Sequence, residues 1–198
     1  MHRRAELTEA ALDYVLVHGL VGLSLRPLAA AIGTSDRMLV YHFGSKEGLV
    51  ADVLRRAQER LSEAVGGPAQ QADDLSEVIL GVWAALDQPA GRQVTRLYLD
   101  TCSLAIQDPT RWGDAPRQLR EPWRLPLQAG LGELGVPSND AQPLADLILA
   151  TLDGLALERL TAPDSARVDA AAAAFAELLG AQVRTGRPPK VHGERARN

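Results

Sequence analysis

The strongest constraint on this chain lies in its first sixty residues. Ser-Leu-Arg-Pro-Leu-Ala-Ala-Ala-Ile-Gly runs from Ser24 to Gly33, and Thr-Ser-Asp-Arg-Met-Leu-Val-Tyr-His-Phe from Thr34 to Phe43. Gly44-Ser-Lys-Glu-Gly48 follows. Two short segments with helical apolar spacing thus flank a Gly33-Thr34-Ser35 punctuation. Ser24, Ser35 and Ser45 stand where N-caps of a second, third and fourth helix belong. Pro27 falls in the first turn of the second helix, where a missing N–H does little harm. Leu28, Ala29 and Ile32 supply that helix's buried face, and Gly33 ends it. The pattern reads as a helix-turn-helix, a unit that lays its second helix in the major groove of DNA.

Composition supports an all-α chain. Of 198 residues, 46% are hydrophobic but only 4% aromatic. Alanine and leucine dominate and both favour helices, whereas the residues that favour strands are scarce. The formal net charge of -4 counts against nucleic acid if taken alone. The sign of the docking face decides, however. Between Ser24 and Lys46 the charged side chains are Arg26, Asp36, Arg37 and Lys46, a positive balance. A single cysteine, Cys102, excludes an intrachain disulfide framework and fits a cytoplasmic protein. No apolar run is long enough for a signal peptide or membrane span. The four histidines have no ligand spacing, so neither a metal nor another cofactor is expected.

The rest of the chain continues in helices. The first is expected over Arg4–Val17 and a long fourth from Lys46 through Leu61. Gly66-Gly-Pro68 to Ala72 is a boundary by loss of apolar period. A fifth helix is expected over Asp73–Leu86, broken by Pro89-Ala-Gly91, and a sixth over Arg92–Ile106. Asp108–Pro126 holds four prolines and reads as irregular or partly helical, with helix possible over Gln118–Leu134. Gly135–Asn139 reads as a turn. The strongest helix of the body runs from Ala141 to Leu160, and a last one from Ala166 to Gln182, with Ser165 as its candidate cap. From Arg184 the chain is basic, rich in proline and glycine, and expected to be a disordered tail.

The head, from Arg4 to Leu54, resembles the DNA-binding domain of the TetR family of bacterial transcriptional regulators. The resemblance rests on Gly33-Thr-Ser-Asp-Arg-Met-Leu-Val-Tyr-His-Phe-Gly-Ser-Lys-Glu-Gly-Leu49, above all the histidine-aromatic pair followed by Ser-Lys-Glu. Thr151-Leu-Asp-Gly-Leu-Ala-Leu157 is also similar to the family's penultimate helix. The resemblance implies a three-helix head over 1–48, joined by the long fourth helix to a ligand-binding and dimerisation domain over 49–183, with a tail over 184–198. It implies a homodimer formed through the last two long helices, a double-stranded operator and a small-molecule effector. Repression is the family's commoner mode. Val40 and Thr34 depart from the family's usual tyrosine and valine, and Arg37 and Met38 replace a small residue and a threonine. These departures imply an unusual operator.

Candidate DNA contacts follow from position. Arg37, early in the third helix, can grip guanine; Arg26 resembles the family's second-helix residue that can reach a base or phosphate. Asp36 either accepts from a cytosine amino group or favours the helix N-terminus. Met38 either meets a thymine methyl or packs inward. Tyr41 and His42 can donate to phosphate, and Lys46 resembles the family's phosphate-binding lysine. Ser35 is a cap first and a phosphate contact second. Phe43 reads as core.

For an effector, the interior bounded by the fifth to eighth helices is the expected place. Trp83, Tyr98, Cys102, Trp112, Trp123 and Leu127 are its candidate lining; the alternative for each is ordinary core. The pocket is expected to be largely apolar, with Asp100 or Asp153 either facing a cationic ligand or capping a polar network. Alanines and Gly154 on the last helices suit a four-helix dimer interface, or packing within one subunit. A helical enzyme and a dimeric scaffold are the competing readings. No catalytic residue is expected, because no nucleophile–base pair, phosphate loop or metal motif is present. A scaffold leaves the basic surface of the head unexplained.

Overall fold

Helices alone build the described residues of the computed structural model, which are 2–65, 74–161 and 165–184. They are α1 His2–His18, α2 Leu25–Ala31, α3 Asp36–Phe43, α4 Lys46–Val65, α5 Leu75–Asp87, α6 Pro89–Gln107, α7 Pro109–Trp112, α8 Ala115–Glu133, α9 Ser138–Thr161 and α10 Ser165–Arg184. The all-α expectation holds. The chain divides into two compact units, residues 1–66 with 89–122 and residues 67–88 with 123–198. Compactness therefore does not divide at residue 48: α4, α6 and α7 belong with the first three helices.

In the first unit, α1 and α4 bury matching stripes. Leu7, Leu12 and Val15 meet the side of the core that Leu49, Val53, Leu54 and Leu61 also enter. Charged groups clamp the rim of this helix pair. Arg4 pairs with Asp52 at 2.8 Å, Arg56 with Glu9 at 2.6 Å, and Arg60 with Asp13 at 2.8 Å. Leu20, in the α1–α2 turn, donates its N–H to Asp100 Oδ2 on α6 at 2.7 Å. Asp100 thus serves a backbone amide of the head through one of its two carboxylate oxygens. Gln58, buried on α4, donates to the Leu119 carbonyl.

The α2–α3 turn is closed by the backbone itself. Thr34 N–H reaches Ala29 O at 2.9 Å and Gly33 N–H reaches Ala30 O at 3.4 Å, the paired bonds of a Schellman ending. Gly33 takes φ +70°, a conformation that costs a side-chain-bearing residue energy.

The second unit gathers α5, the second half of α8, α9 and α10 around Leu75, Ile79, Leu131, Leu144, Ile148, Leu152 and Ala176. Arg159 lies within it, donating to Asp87 at 2.8 Å and to Asp169, over the face of Trp83. Asp169 also accepts from Trp83 Nε1 at 3.0 Å. Buried charge is tolerated here because it is paired on both sides.

Several expectations need correction. Pro89 does not break a helix but opens α6; the interruption is Gln88 alone, with extended backbone at ψ 155°. Proline suits a first turn, so the break falls before it. The stretch expected to be irregular is helical over Pro109–Trp112 and Ala115–Glu133. Leu119, Leu127 and Leu131 are buried at helical spacing, while Pro122 and Pro126, four residues apart, lie on the exposed side. Burial along one side offsets the two missing amide donors. Arg184, expected to begin the tail, closes α10 and pairs with Asp74 at 2.8 Å. The Gly66–Ala72 boundary and the rest of the tail lie outside the described residues. So does the side chain of Ser165.

The caps obey one rule. Ser35 accepts from Met38 N, Ser45 from Gly48 N, Asp74 from Glu77 N and Asp108 from Arg111 N. Each donor is the third residue of its helix. Ser24 holds the N-cap position of α2 but makes no side-chain cap bond, contrary to expectation. Its third helical residue is Pro27, which has no N–H to give. Ser35→Ala and Ser45→Ala should therefore each cost about 0.5–2 kcal/mol in urea unfolding, whereas Ser24→Ala should fall within about 0.5 kcal/mol of wild type.

Glu9 carries a pH dependence. The Arg56 hydrogen bond, assisted by Arg60 and opposed by burial, lowers its pKa from the ordinary 4.5. A depressed carboxylate pKa adds stability above the unfolded value and loses it as pH falls through the folded value. Melting curves of Glu9→Gln and wild type should differ at pH 7 and converge as the pH drops below about 4.5.

Candidate nucleic-acid interface

Burial of one side of α3 decides what its other side offers. Leu39 and Phe43, four residues apart, are buried. At 100° per residue this turns Arg37, Met38 and Tyr41 outward together; all three are exposed, as are Asp36 and Val40 at the edge of the buried side. Met38 is 41% exposed and Tyr41 78%. Met38 thus faces solvent rather than packing inward. Phe43 is core, as expected.

Two arginines stand apart from the others of the head. Arg3, Arg4, Arg55, Arg56 and Arg60 are all held in ion pairs with Glu6, Asp52, Glu59, Glu9 and Asp13. The Arg26 and Arg37 side chains are exposed and, among the described residues, have no ion-pair or hydrogen-bond partner. Both lie on the helix-turn-helix, one on α2 and one on α3. Uncommitted guanidinium groups keep five donors each for an outside acceptor.

The neighbouring polar groups are partly committed. Asp36 Oδ1 accepts from the Arg37 backbone N–H at 2.8 Å, serving the start of α3. Ser35 caps that helix at 3.2 Å. His42 lies edge-on to Tyr41 with ring centroids 5.1 Å apart. Its Nε2 is buried and, among the described residues, without a partner. In this conformation the hydroxyl of the exposed Tyr41, not His42 Nε2, can donate to a phosphate.

Lys46 begins α4 and is half-buried. Its Nζ lies 5.7 Å from the centroid of the Trp112 ring. Burial is the main cause that lowers its pKa, and nearby Arg111 adds to this; Glu47 opposes both. Glu47 itself is held below the ordinary carboxylate range, first by its own backbone amide and further by Arg111 and Ser45. The turn leading here is tight: a Cβ on Gly48 would sit 2.2 Å from the Phe43 carbonyl oxygen. Only glycine fits that approach.

The six residues considered for an effector fall into two groups. Trp83, Trp123 and Leu127 belong to the apolar cluster of the second unit, with Trp123 half-buried against it. Tyr98 and Cys102 are half-buried on α6, and Trp112 is buried on α7, all in the first unit. Tyr98 Oη accepts from Arg120 at 3.2 Å. Asp153 is half-buried on α9. No group of three or more metal-ligating side chains occurs among the described residues, and no helix there is long and apolar enough to cross a membrane.

Sequence reasoning passed over the Asp100–Leu20 bond, the Glu9 clamp and the Lys46–Trp112 contact. Each joins residues tens of positions apart, and no local spacing signals it.

A helix-turn-helix with free basic side chains on its outward face defines a DNA-binding regulator. Residues 7–53 match the family model for bacterial regulatory proteins of the tetR family. Over 183 residues the chain is 25% identical to the HTH-type transcriptional repressor KstR2 of Rhodococcus jostii, covering 89% of each protein. Over 45 residues, 23% of this chain and 21% of the relative, it is 47% identical to the HTH-type transcriptional regulatory protein RaaS of Mycobacterium tuberculosis. The solved structure of the multidrug binding protein EbrR complexed with imidazole superposes with a TM-score of 0.64 at 25% identity, covering 89% of this chain and 93% of that one. The match to the tetR family thus covers the helix-turn-helix head, and the relative matched over most of its length is a transcriptional repressor.

The contrast between free and paired arginines is testable. Arg26→Ala and Arg37→Ala should each weaken binding to a short mixed-sequence duplex and flatten its salt dependence by about 0.9 per lost phosphate contact. Arg55→Ala, already paired with Glu59 and Asp52, should leave the slope near wild type in the same anisotropy titration.

Proposed function

We propose that the protein is a dimeric, effector-responsive repressor of a palindromic operator. The observation that carries this reading is that Arg26 and Arg37 on the helix-turn-helix are free, whereas the arginines of the flanking α1 and α4 are consumed in ion pairs. In this reading Arg37 supplies base readout from the start of α3, with Met38 and Val40 as apolar neighbours. Arg26, Ser35, Tyr41 and Lys46 serve the backbone; His42 joins them only when its Nε2 is uncovered. Ser24 joins them, because Pro27 leaves its hydroxyl without a cap bond. Asp36 chiefly organises the start of α3. Residues 1–48 read DNA, and 49–183 carry the effector response and the dimer.

Dimerisation is supported by two stripes of exposed small and apolar residues. Leu147, Ala150, Gly154 and Leu157 recur at three- and four-residue steps on α9; Ala171, Ala174, Leu178 and Ala181 do the same on α10. Such spacing keeps each stripe on one face, and its small residues admit close helix approach. A two-fold pair of heads would then meet half-sites about one DNA turn, roughly 34 Å, apart. The effector is proposed to be small and largely apolar, favouring a head spacing that no longer fits. The imidazole complex of EbrR supports a small-molecule ligand for a protein of this fold. Trp83, Tyr98, Cys102, Trp112, Trp123 and Leu127 are the residues to substitute in search of its site.

Footprinting on the protein's own promoter region, with Arg37→Ala as control, tests the reading. Wild type should give salt-sensitive, sequence-specific protection, and Arg37→Ala should lose about 1–3 kcal/mol of discrimination at one base pair per half-site. Absence of specific binding at any genomic site would sink the regulator proposal; unchanged selectivity in Arg37→Ala would remove only the base contact. Leu178→Glu, at a position 67% exposed in the single chain, should yield a folded monomer in sedimentation with lost operator binding. A dimer that survives this change places the interface elsewhere.

A further inference from the structure

Four side chains meet at the start of α4 in a way the DNA-contacting face does not require. The Trp112 ring is 6% exposed. Lys46 Nζ lies 5.7 Å from its centroid and Arg111 Cζ 5.4 Å from it. Glu47, next to Lys46, accepts from Arg111 Nε. We propose that Trp112 is a positioning residue for DNA binding, its ring holding the Lys46 ammonium in place at the N-terminus of α4. The proposal rests on the reading that Lys46 meets a phosphate.

A lysine side chain carries rotamer entropy that a DNA contact must overcome. Lys46 is instead half-buried against the face of a tryptophan, the aromatic that attracts cations best. The platform is rigid, because the ring is buried and its short helix is capped by Asp108 at 3.1 Å from Arg111 N. Arg111 and Glu47 tie that helix to the first turn of α4. Stability alone does not explain the arrangement. Arg111 and Lys46 share one ring and repel, which contributes to the lowered pKa of Lys46. An incoming phosphate would relieve that repulsion, and the positive end of the α4 dipole adds to its attraction. Trp112, considered above as an effector-lining residue, thus has its face committed to cations of the first unit.

The test is the salt dependence of full-length protein binding to a short mixed-sequence duplex. Lys46→Gln should flatten the log–log slope by about 0.9 per protomer contact. Trp112→Leu should flatten it to a similar extent, Trp112→Phe should retain most of the wild-type slope, and Lys46→Gln with Trp112→Leu should lose no more than either alone. A reduced folded fraction shifts the apparent affinity but not the slope, which separates positioning from damage. If Lys46→Gln flattens the slope and Trp112→Leu does not, the positioning role is wrong while the phosphate contact stands. If Lys46→Gln itself has no effect, the Lys46 contact falls and the proposal with it. The wild type provides a further readout: the Lys46 ε-methylene protons should be shifted upfield in the NMR spectrum by the ring, and an unshifted signal overturns the proposal.

Discussion

Burial of Leu39 and Phe43 is the constraint on which the interface depends. Each contributes about 1.5–3 kcal/mol by leaving water, and together they set the rotation of α3. Nothing else in the helix competes with that pull. Arg37, Met38 and Tyr41 face outward as a consequence, not through any contact of their own. The core of the head is thus also the device that aims its reading surface. The α1–α4 packing serves the same end at longer range, since it supplies the core into which Leu39 and Phe43 insert.

Charge is the second organising factor. The chain has a net negative charge, yet its helix-turn-helix offers free cations. The structure reconciles these by distribution. Glu9, Asp13, Asp52 and Glu59 neutralise the arginines along α1 and α4, which leaves Arg26 and Arg37 as the uncommitted guanidinium groups of α2 and α3. Exposed pairs of this kind add little stability individually. Their larger effect is to confine attraction for phosphate to the helices that carry the reading residues.

Much of this was legible in local pattern. The caps Ser35 and Ser45 follow from residue type and position, and the Gly33 turn from the need for a positive φ. The exposed face of α3 follows from apolar spacing. Where local reading failed, a specific competitor explains it. Ser24 has the right type and place, but Pro27 removes its donor. Pro122 and Pro126 suggested irregular chain, yet Leu119, Leu127 and Leu131 bury enough surface to keep α8 continuous. Gly48 looked like turn punctuation, and its requirement is steric, set by the Phe43 carbonyl.

The sequence by itself determined the all-α class, the helix-turn-helix and the outward set of α3, because each depends on spacing within a few residues. It also carried the resemblance to the TetR family, through the run from Gly33 to Leu49. Tertiary structure alone decided that Arg4, Arg56 and Arg60 are paired across α1 and α4, that Asp100 serves the α1–α2 turn, and that Trp112 lies beneath Lys46. Those contacts close over 40 to 80 residues of chain, and only the packing of whole helices brings their partners within reach.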